Sequence, residues 1–135
     1  MTDQTEANKF LVARLVNEVI NGGKLDMIGQ LYAPHLTTAA RDWIASFRDA
    51  FPDVHMRTVQ LVAEADTVVG RFTCTGTHRG TWRSHPPTSK RFTDIDEINL
   101  YHVRNGKITD TWNLEDNLER LTQLGLLPNH GQAET

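Results

Sequence analysis

The spacing of the apolar residues changes once along this chain, close to Phe51, and that change limits which folds the chain can adopt. Before Phe51, apolar residues recur at intervals of three and four, which is typical of helices that bury one face. After Phe51, apolar and polar residues alternate in short runs between turn-forming residues, which is typical of strands. Helices followed by consecutive strands predict an α+β fold with the helices on one face of an antiparallel sheet.

Three helical segments and four strands follow from these two patterns. Helices are predicted over residues 8–20, 25–32 and a third segment that carries Trp43, Phe47 and Phe51. Strands are predicted over residues 54–63, 67–77, 92–103 and the first half of 107–127. The inward set of the second strand is predicted to be Val68, Gly70, Phe72 and Cys74. Asn105-Gly106 is a strong signal for a two-residue hairpin between the last two strands.

Proline, glycine and polar residues set the predicted limits of the helices. Asn21-Gly22-Gly23 is predicted to end the first helix, because glycine readily adopts the backbone conformation that follows a helix. Pro34 is predicted to end the second helix, with a brief loop over residues 35–38 before the third. A closing helix is predicted after the last strand, where Asp116 can act as the N-cap and Glu119 can complete a capping box.

Length, charge and cysteine content indicate one soluble domain without cross-links. Residues 1–135 are predicted to form this single domain, with loose tails at 1–7 and 129–135. Cys74 is the single cysteine, which excludes an internal disulfide. A formal net charge of −3 argues against a nucleic-acid or anionic-membrane partner. The sequence has neither a secretion signal nor a stretch of about 18 apolar residues, so a cytoplasmic location is predicted.

The sequence carries no pattern for a metal or a nucleotide cofactor. His35, His55, His85 and His130 show no metal-ligand spacing among themselves or with Cys74. No glycine-rich phosphate-binding loop precedes a helix. We therefore predict neither a metal site nor a nucleotide cofactor.

Asp116 and His102 are the two candidates for acid/base chemistry. Asp116 stands where the last strand passes into the closing helix, so it can serve as a structural N-cap, as a catalytic carboxylate, or as both. His102 is predicted to share a strand face with Ile98 and Leu100, because side chains alternate along a strand. A histidine on such a face is more often a hydrogen-bonded core residue than a catalyst, and both interpretations stay open.

The space between a curved sheet and its helices is the natural place for a pocket. Its wall, or the core behind it, is predicted to come from large apolar side chains: Trp43, Phe47, Phe72, Leu100 and Trp112. Trp82 lies in a loop rich in glycine and proline, where it is predicted to close the pocket mouth or to pack on a neighbouring subunit. His78 can line the pocket, although a hydrogen bond that anchors the loop is the favoured interpretation.

Several short motifs along the chain resemble one family. They are GTHRGTW at 76–82, HPPTSKRF at 85–92, NGKI at 105–108, and Trp112 followed by Asp116 and by Gln123-Leu124-Gly125. AFPDVHM at 50–56 and VNEVINGG in the opening helix also match. In this order and spacing they resemble the SnoaL-like polyketide cyclase family, which has the cone-shaped α+β fold of nuclear transport factor 2 and ketosteroid isomerase. The resemblance implies a curved antiparallel sheet with three N-terminal helices over its concave face.

The resemblance also implies a function and a set of partners. It implies an apolar pocket for a hydrophobic small molecule, without metal or organic cofactor, in which Asp116 acts as acid/base and His102 assists. The implied reaction is an intramolecular aldol ring closure, and the implied assembly is a homodimer or a higher homo-oligomer. The chain departs from the family pattern in a shorter loop between the second and third helices, and in Ser84 and Ser89, where the family often has glycine.

Three functions stay open at this point. The first is a polyketide cyclase that removes a proton from the carbon next to a carbonyl. The second is a hydroxylase-type relative that uses the same pocket, and the third is a protein that binds a hydrophobic small molecule without transforming it. A dry cavity with Asp116 at its floor would favour proton chemistry, and a cavity without an ionisable group would favour binding.

Overall fold

The computed structural model describes residues 2–127, in which helices come first and strands follow. The helices are α1 (Thr2–Arg14), which continues as a π-helix (Leu15–Asn21), α2 (Ile28–Leu31) behind a 3₁₀ turn (Leu25–Met27), α3 (Pro34–Ala50) and α4 (Asn117–Gln123). The strands are β1 (His55–Glu64), β2 (Thr67–Thr77), β3 (Arg91–Arg104) and β4 (Lys107–Glu115). The α+β order is as predicted, and the predicted tail at 129–135 lies outside the described residues.

The first helix begins earlier than the apolar pattern predicts. It starts at Thr2, so the tail predicted over residues 1–7 is helical from its second residue onward. Polar contacts between successive turns support this segment: Gln4 donates a hydrogen bond to Asn8 at 2.8 Å, and Lys9 pairs with Glu6 at 2.7 Å. These contacts extend the helix beyond its apolar stripe.

Pro34 begins α3, and the loop predicted over residues 35–38 is wrong. α2 ends at Leu31, and Ala33 is extended (φ −62°, ψ 152°), as is favoured before a proline. Pro34 then occupies the first turn of α3, where the N–H that proline lacks has no helical partner to lose. The sequence shows that a proline interrupts the helical pattern, but not that the next helix starts at once.

The four strands form a curled antiparallel sheet in the order β1-β2-β3-β4, so each strand pairs with the next in sequence. Asn105 and Gly106 form the predicted turn between β3 and β4, both with positive φ (53° and 73°), as a type I′ hairpin requires. The strand register shifts near Val59, near Thr75 and after His102. Such irregularities bend a strand and increase its twist, which helps the sheet to curl.

The concave face of the sheet is its buried face. On β2 this face carries the predicted set, Val68, Gly70, Phe72 and Cys74. On β3 it carries Ile95, Glu97, Asn99, Tyr101 and Val103. Ile98, Leu100 and His102 do share one face of β3, as predicted, but it is the convex face. The predicted place of Leu100 in the pocket wall is therefore wrong.

Strand pairing decides which face of β3 is buried. Apolar residues occur on both faces of this strand, so alternation alone leaves two solutions. In the sheet, Tyr101 lies opposite Val68 and Ile95 lies opposite Cys74, and both partners face the helices. This register brings the polar Glu97 inside together with its apolar neighbours.

Two groups of buried side chains fill the space between helices and sheet. The first joins the π-helix and α2 to the sheet and includes Val16, Val19, Ile28, Phe72 and Tyr101. The second lies at the other end of the sheet and includes Phe51, Trp82, Phe92 and Leu124. In this second group the ring of Phe51 meets that of Phe92 edge-on, with centroids 4.9 Å apart.

Candidate functional site

A cavity of about 290 Å³ lies between the helices and the concave side of β3 and β4. Its helical wall is apolar and includes Leu15, Ile20, Leu36, Ala40 and Trp43. The sheet side carries Asn99, Tyr101, Thr111, Trp112 and Asn113, and Tyr32 contributes from the end of α2. The volume is at the small end of the range for sites that bind small organic molecules.

Polar side chains form a connected row on the sheet side of the cavity. Asn113 donates a hydrogen bond from Nδ2 to Oδ1 of Asn99, its cross-strand partner. Asn99 in turn donates from Nδ2 to the hydroxyl oxygen of Tyr101, at 3.1 Å. Because the Tyr101 oxygen accepts this bond, its own O–H is left to donate. Bonds in such a chain polarise one another, which makes Tyr101 a stronger donor.

Burial keeps the two tyrosines of the cavity protonated. Desolvation raises the pKa of the Tyr32 hydroxyl well above its ordinary value. Desolvation also raises the pKa of Tyr101, and the neighbouring Tyr32 adds to this effect. Both phenols are therefore hydrogen-bond donors near neutral pH.

A second void of about 10 Å³ lies beside the cavity and shares Ile20 and Trp43 with it. Two carboxylates line this void, Glu97 on β3 and Glu115, its cross-strand partner on β4. Arg120 of α4 is fully buried and contacts both. Its Nη2 lies 3.4 Å from Oε2 of Glu97, and its Nη1 donates to Oε1 of Glu115. A buried ionic cluster thus adjoins the cavity.

Arg120 reaches this cluster across an aromatic surface. Its guanidinium carbon lies 4.7 Å from the ring centroid of Phe92, 5.3 Å from that of Phe47 and 5.7 Å from that of Trp82. Cations are attracted to the faces of such rings. Nη1 also donates to Oδ1 of Asn117 at 2.6 Å. These contacts hold the guanidinium in one place between the two carboxylates.

The surroundings of the cluster shift the proton affinity of two groups that face it. Burial and, to a smaller extent, the charge of Glu115 raise the pKa of Glu97, Arg120 acts in the opposite direction, and the pKa that results is about 7. Burial also raises the pKa of the Cys74 thiol to about 12, so the thiol stays neutral. Glu97 therefore changes protonation near neutral pH, as an acid/base group needs to do.

Asp116 lies outside both voids, as the N-cap of α4. Its Oδ1 accepts a hydrogen bond from the backbone N–H of Glu119 at 3.0 Å, which is the predicted cap. The backbone N–H of Asp116 donates to the carbonyl oxygen of Asp96 rather than to Glu119, so the predicted capping box is only half formed. The structure corrects the implied placement of Asp116 in the pocket: Glu115 takes the inward position at the end of β4, and the side chain of Asp116 is exposed.

His102 also lies outside the cavity, on the convex face of β3. Its neighbours on the adjacent strands are Thr67 and Asp110. Its Nδ1 lies 3.3 Å from the hydroxyl oxygen of Thr67. Because Tyr101 takes the inward position beside it, His102 cannot reach a ligand in the cavity, and the structure does not bring it together with Asp116.

The five predicted wall residues lie in four different places. Trp43 and Trp112 border the cavity, and each is about half exposed (50% and 55%). Trp112 belongs to the convex face by its register and borders the cavity only because β4 is the edge strand. Phe47 lines the smaller void. Phe72 is fully buried in the core, and Leu100 lies on the convex face opposite Trp112. Two of the five therefore border the cavity, and Leu100 faces away from it.

Trp82 and His78 hold the loop between β2 and β3 and do not line the cavity. Trp82 is buried against Phe51, with ring centroids 5.6 Å apart, so it packs within its own chain rather than on a neighbouring subunit. His78 is fully buried, and its Nδ1 accepts a hydrogen bond from the backbone N–H of Thr88 at 3.2 Å. This is the loop-anchoring role that the sequence favours for His78. Burial lowers the pKa of this imidazole.

Comparison with known families identifies the chain. Residues 10–124 match the model of the SnoaL-like polyketide cyclase family, which is most of the sequence. The chain belongs to this family. The resemblance seen in the sequence motifs is thereby confirmed. No curated protein matches the sequence.

Solved structures share the fold of this SnoaL-like chain at low sequence identity. TsrD from Streptomyces laurentii is 21% identical with a TM-score of 0.84, over 90% of this chain and 97% of that chain. IdmH from Streptomyces antibioticus, described as a candidate polyketide cyclase, is 25% identical with a TM-score of 0.73, and the match covers 87% of this chain and 98% of that chain. AclR from Streptomyces galilaeus, described as a candidate hydroxylase, is 24% identical with a TM-score of 0.81, and the match covers 92% of this chain and 99% of that chain. The predicted fold class is confirmed.

Two further findings concern residues 2–127 of this SnoaL-like chain. In this range, no three His, Cys, Asp or Glu side chains are grouped so that they could hold a metal ion. Within the same residues, no helix has the length and apolar character needed to cross a membrane.

Sequence reasoning missed most of the polar groups beside the cavity: Glu97, Asn99, Tyr101, Asn113, Glu115 and Arg120. A signal for part of this set exists in β3, where Glu97 and Asn99 alternate in step with Ile95, Tyr101 and Val103. Polar residues in the buried register of a strand point to a functional or paired site, because their burial is costly without partners. Arg120 had no such signal, since an arginine in a short helix is ordinarily a surface residue and only the structure shows that this one is buried.

Proposed function

We propose that this SnoaL-like protein is a polyketide cyclase that closes a ring in a polyketide-derived small molecule by an intramolecular aldol reaction. The proposed reaction uses acid/base chemistry, without a metal or an organic cofactor. The observation that carries the proposal is the hydroxyl of Tyr101, a polarised donor in a cavity with a largely apolar wall. Such a donor stabilises the negative oxygen that forms when a proton leaves the carbon next to a carbonyl.

The shape of the cavity supports ring closure in a second way. An intramolecular aldol reaction needs a flexible chain to fold so that an enolate carbon meets a second carbonyl, and confinement supplies this proximity. Leu36 and Trp43 face the polar row of Asn99 and Tyr101 across the cavity. An apolar substrate held against that wall would direct one carbonyl oxygen to the polar row.

The alternatives are a hydroxylase-type reaction and binding without reaction. AclR, described as a candidate hydroxylase, has the same fold, so the fold itself does not separate hydroxylation from ring closure. The ionisable Glu97 beside the cavity favours proton chemistry over simple binding. We therefore place the cyclase reaction first.

Ring closure of model substrates tests this proposal. The purified chain is incubated with a panel of aryl-substituted 1,5-diketones, and the products are followed by liquid chromatography and mass spectrometry. We expect an isomer of unchanged mass or its dehydrated form. Tyr101→Phe should lower kcat/KM by roughly 10²-fold, the scale of a lost oxyanion donor. Ser46→Ala removes a hydroxyl from the exposed side of α3 and serves as the matched control.

Each alternative has its own outcome in this experiment. Products that are heavier by one oxygen atom would support the hydroxylase function. Saturable binding of the diketones without any product would support a binding protein. Ring closure at the wild-type rate in Tyr101→Phe would remove this residue from the mechanism.

We also propose that the chain forms a homodimer through the convex face of the sheet. Apolar side chains form a row across all four strands of this face: Val62, Val69, Leu100 and Trp112. Ile98 and Leu114 form the next cross-strand pair on the same face and are 43% and 58% exposed. A contiguous exposed apolar surface favours a partner, and the same face of a second copy, related by two-fold symmetry, can cover it.

A further inference from the structure

We propose that Glu97 is the residue that removes and returns the proton in this cavity, and that Glu115 and Arg120 are positioning residues that control its charge. This inference rests on the proposed ring-closing function and assigns its acid/base group. Glu97 takes the place of Asp116 as the reacting carboxylate, because the exposed side chain of Asp116 caps α4.

The position of Glu97 places its carboxylate next to the polar row of the cavity. Glu97 and Asn99 are two residues apart on the concave face of β3, a separation of about 6.8 Å along a strand. Glu97 is 4% exposed and lines the small void that adjoins the cavity at Ile20 and Trp43. That void has room for about one water molecule, so a proton can pass directly or through a single water.

The charge balance of the cluster indicates a role beyond stability. One guanidinium, that of Arg120, faces two carboxylates, so the cluster carries an excess negative charge when both are ionised. In a buried site such a pair tends to keep one proton, because two like charges repel each other. A purely structural ion pair would need only one of the two carboxylates. The second carboxylate makes the cluster a store for one exchangeable proton.

Groups from every packed element contribute to this balance. The charged or titratable side chains that face Glu97 or line its void are Glu115 of β4, Arg120 of α4, Arg48 of α3 and Cys74 of β2. Arg48 is also tied to the end of the π-helix, where its Nη1 donates to the carbonyl oxygen of Ile20. Cys74 stays a neutral thiol, so Glu115 and Arg120 are the charges that act on Glu97.

The proposed step conserves atoms and charge. The Glu97 carboxylate takes a proton from the carbon next to a substrate carbonyl, and the released electron pair moves onto the carbonyl oxygen. That oxygen accepts a hydrogen bond from the Tyr101 hydroxyl. The enolate carbon then attacks the second carbonyl of the same molecule, forming a carbon–carbon bond and an alkoxide. The alkoxide takes the proton back from the Glu97 carboxyl group, so the enzyme ends in its starting state.

A substrate-independent probe tests this assignment. 5-Nitrobenzisoxazole opens when a base removes its carbon-bound proton, and a desolvated carboxylate accelerates this reaction. We expect the full-length protein to catalyse it with kcat/KM rising with pH through an apparent pKa near 7. Glu97→Gln should lower this rate by roughly 10²-fold or more, the scale of a lost general base. Glu64→Gln, an exposed carboxylate on β1, is the matched control.

Glu115→Gln provides a readout that a structural role would not move. Removing this negative charge should lower the apparent pKa of the reaction below its wild-type value, because the charge of Glu115 raises the pKa of Glu97. The rate at high pH should change little. An unshifted pH profile would overturn the role of Glu115. If Glu97→Gln does not fold, Glu97→Asp and the Glu115→Gln profile decide the assignment.

Two results would overturn the assignment of Glu97. One is a rate in folded Glu97→Gln equal to that of the wild type, and the other is loss of the rate in Asp116→Asn with Glu97→Gln unaffected.

The diketones of the ring-closure experiment should inhibit the probe reaction competitively if the diketones and the probe both bind in the cavity. Ring closure that survives in Glu97→Gln would refute this inference alone. Diketones that neither bind nor react would refute the proposed function instead.

Discussion

Among single residues, Glu97 should give the stability of the fold a pH dependence of its own. On folding, its pKa rises from an ordinary value of 4.5 to about 7, first because of burial and then because of Glu115. The folded state therefore binds more protons than the unfolded state between these two values. The contribution of Glu97 to the free energy of unfolding is complete below pH 4.5 and is lost as the pH rises through about 7.

Replacing Glu97 by Gln should remove this dependence. We expect the free energy of unfolding of Glu97→Gln, relative to that of the wild type, to increase by about 3 kcal/mol between acidic and neutral pH. Urea denaturation of both proteins at a series of pH values measures this difference in the free energy of unfolding.

His78 gives the opposite trend, because its lowered pKa makes the folded state less stable as the pH falls below 6.5. Both proteins contain His78, so its effect cancels in the difference, and a difference that is constant with pH would contradict the raised pKa of Glu97.

Asp116 is expected to contribute stability through its cap. Its Oδ1 accepts the backbone N–H of Glu119, a group that would otherwise lack a partner in the first turn of α4. Asp116→Ala should lower the free energy of unfolding by about 1 kcal/mol, and Asp116→Asn, which keeps the acceptor oxygen, should lower it much less. Chemical denaturation distinguishes the two variants. Equal losses in both would show that the carboxylate charge, rather than the cap, provides the stability.

At the scale of elements, the turn between β3 and β4 depends on backbone conformation alone. Gly106 has a φ of 73°, and an added Cβ would meet no atom within 4 Å. Gly106→Ala should therefore cost roughly 1 kcal/mol through backbone strain and not through a clash. Gly29 in α2 is the matched control, because its Cβ position is also open and its backbone is helical. Gly29→Ala should be neutral or stabilising, and thermal unfolding of the two variants should show opposite shifts.

At the scale of the whole molecule, the convex face predicts the oligomeric state. Leu114 is more than half exposed on the convex face, opposite Ile98. We expect the wild type to sediment as a dimer at micromolar concentration and Leu114→Glu to sediment as a monomer, because a buried unpaired charge opposes association. Phe10→Glu alters an exposed apolar residue on α1, away from the sheet face, and should leave the dimer intact. A monomeric wild type would contradict the proposed interface.

The sequence by itself determined the features whose causes lie within a few residues. The limits of β2, predicted as 67–77, agree with Thr67–Thr77 because alternation and turn residues act locally. The Asn105-Gly106 turn and the Asp116 cap are local for the same reason. The family motifs also lie in the sequence, and they indicate the fold of the whole chain.

Only the tertiary structure decided which groups meet at the cavity. Both faces of β3 carry apolar residues, and pairing with β2 and β4 selects the face that carries Glu97 and Tyr101. Arg120 joins Glu97 from α4, 23 positions further along the chain, because α4 packs back onto the sheet. Asp116, the acidic residue that the motif favours, turns outward because β4 ends one residue earlier with Glu115 facing in. Local patterns cannot decide such positions, since they depend on register and packing between distant segments.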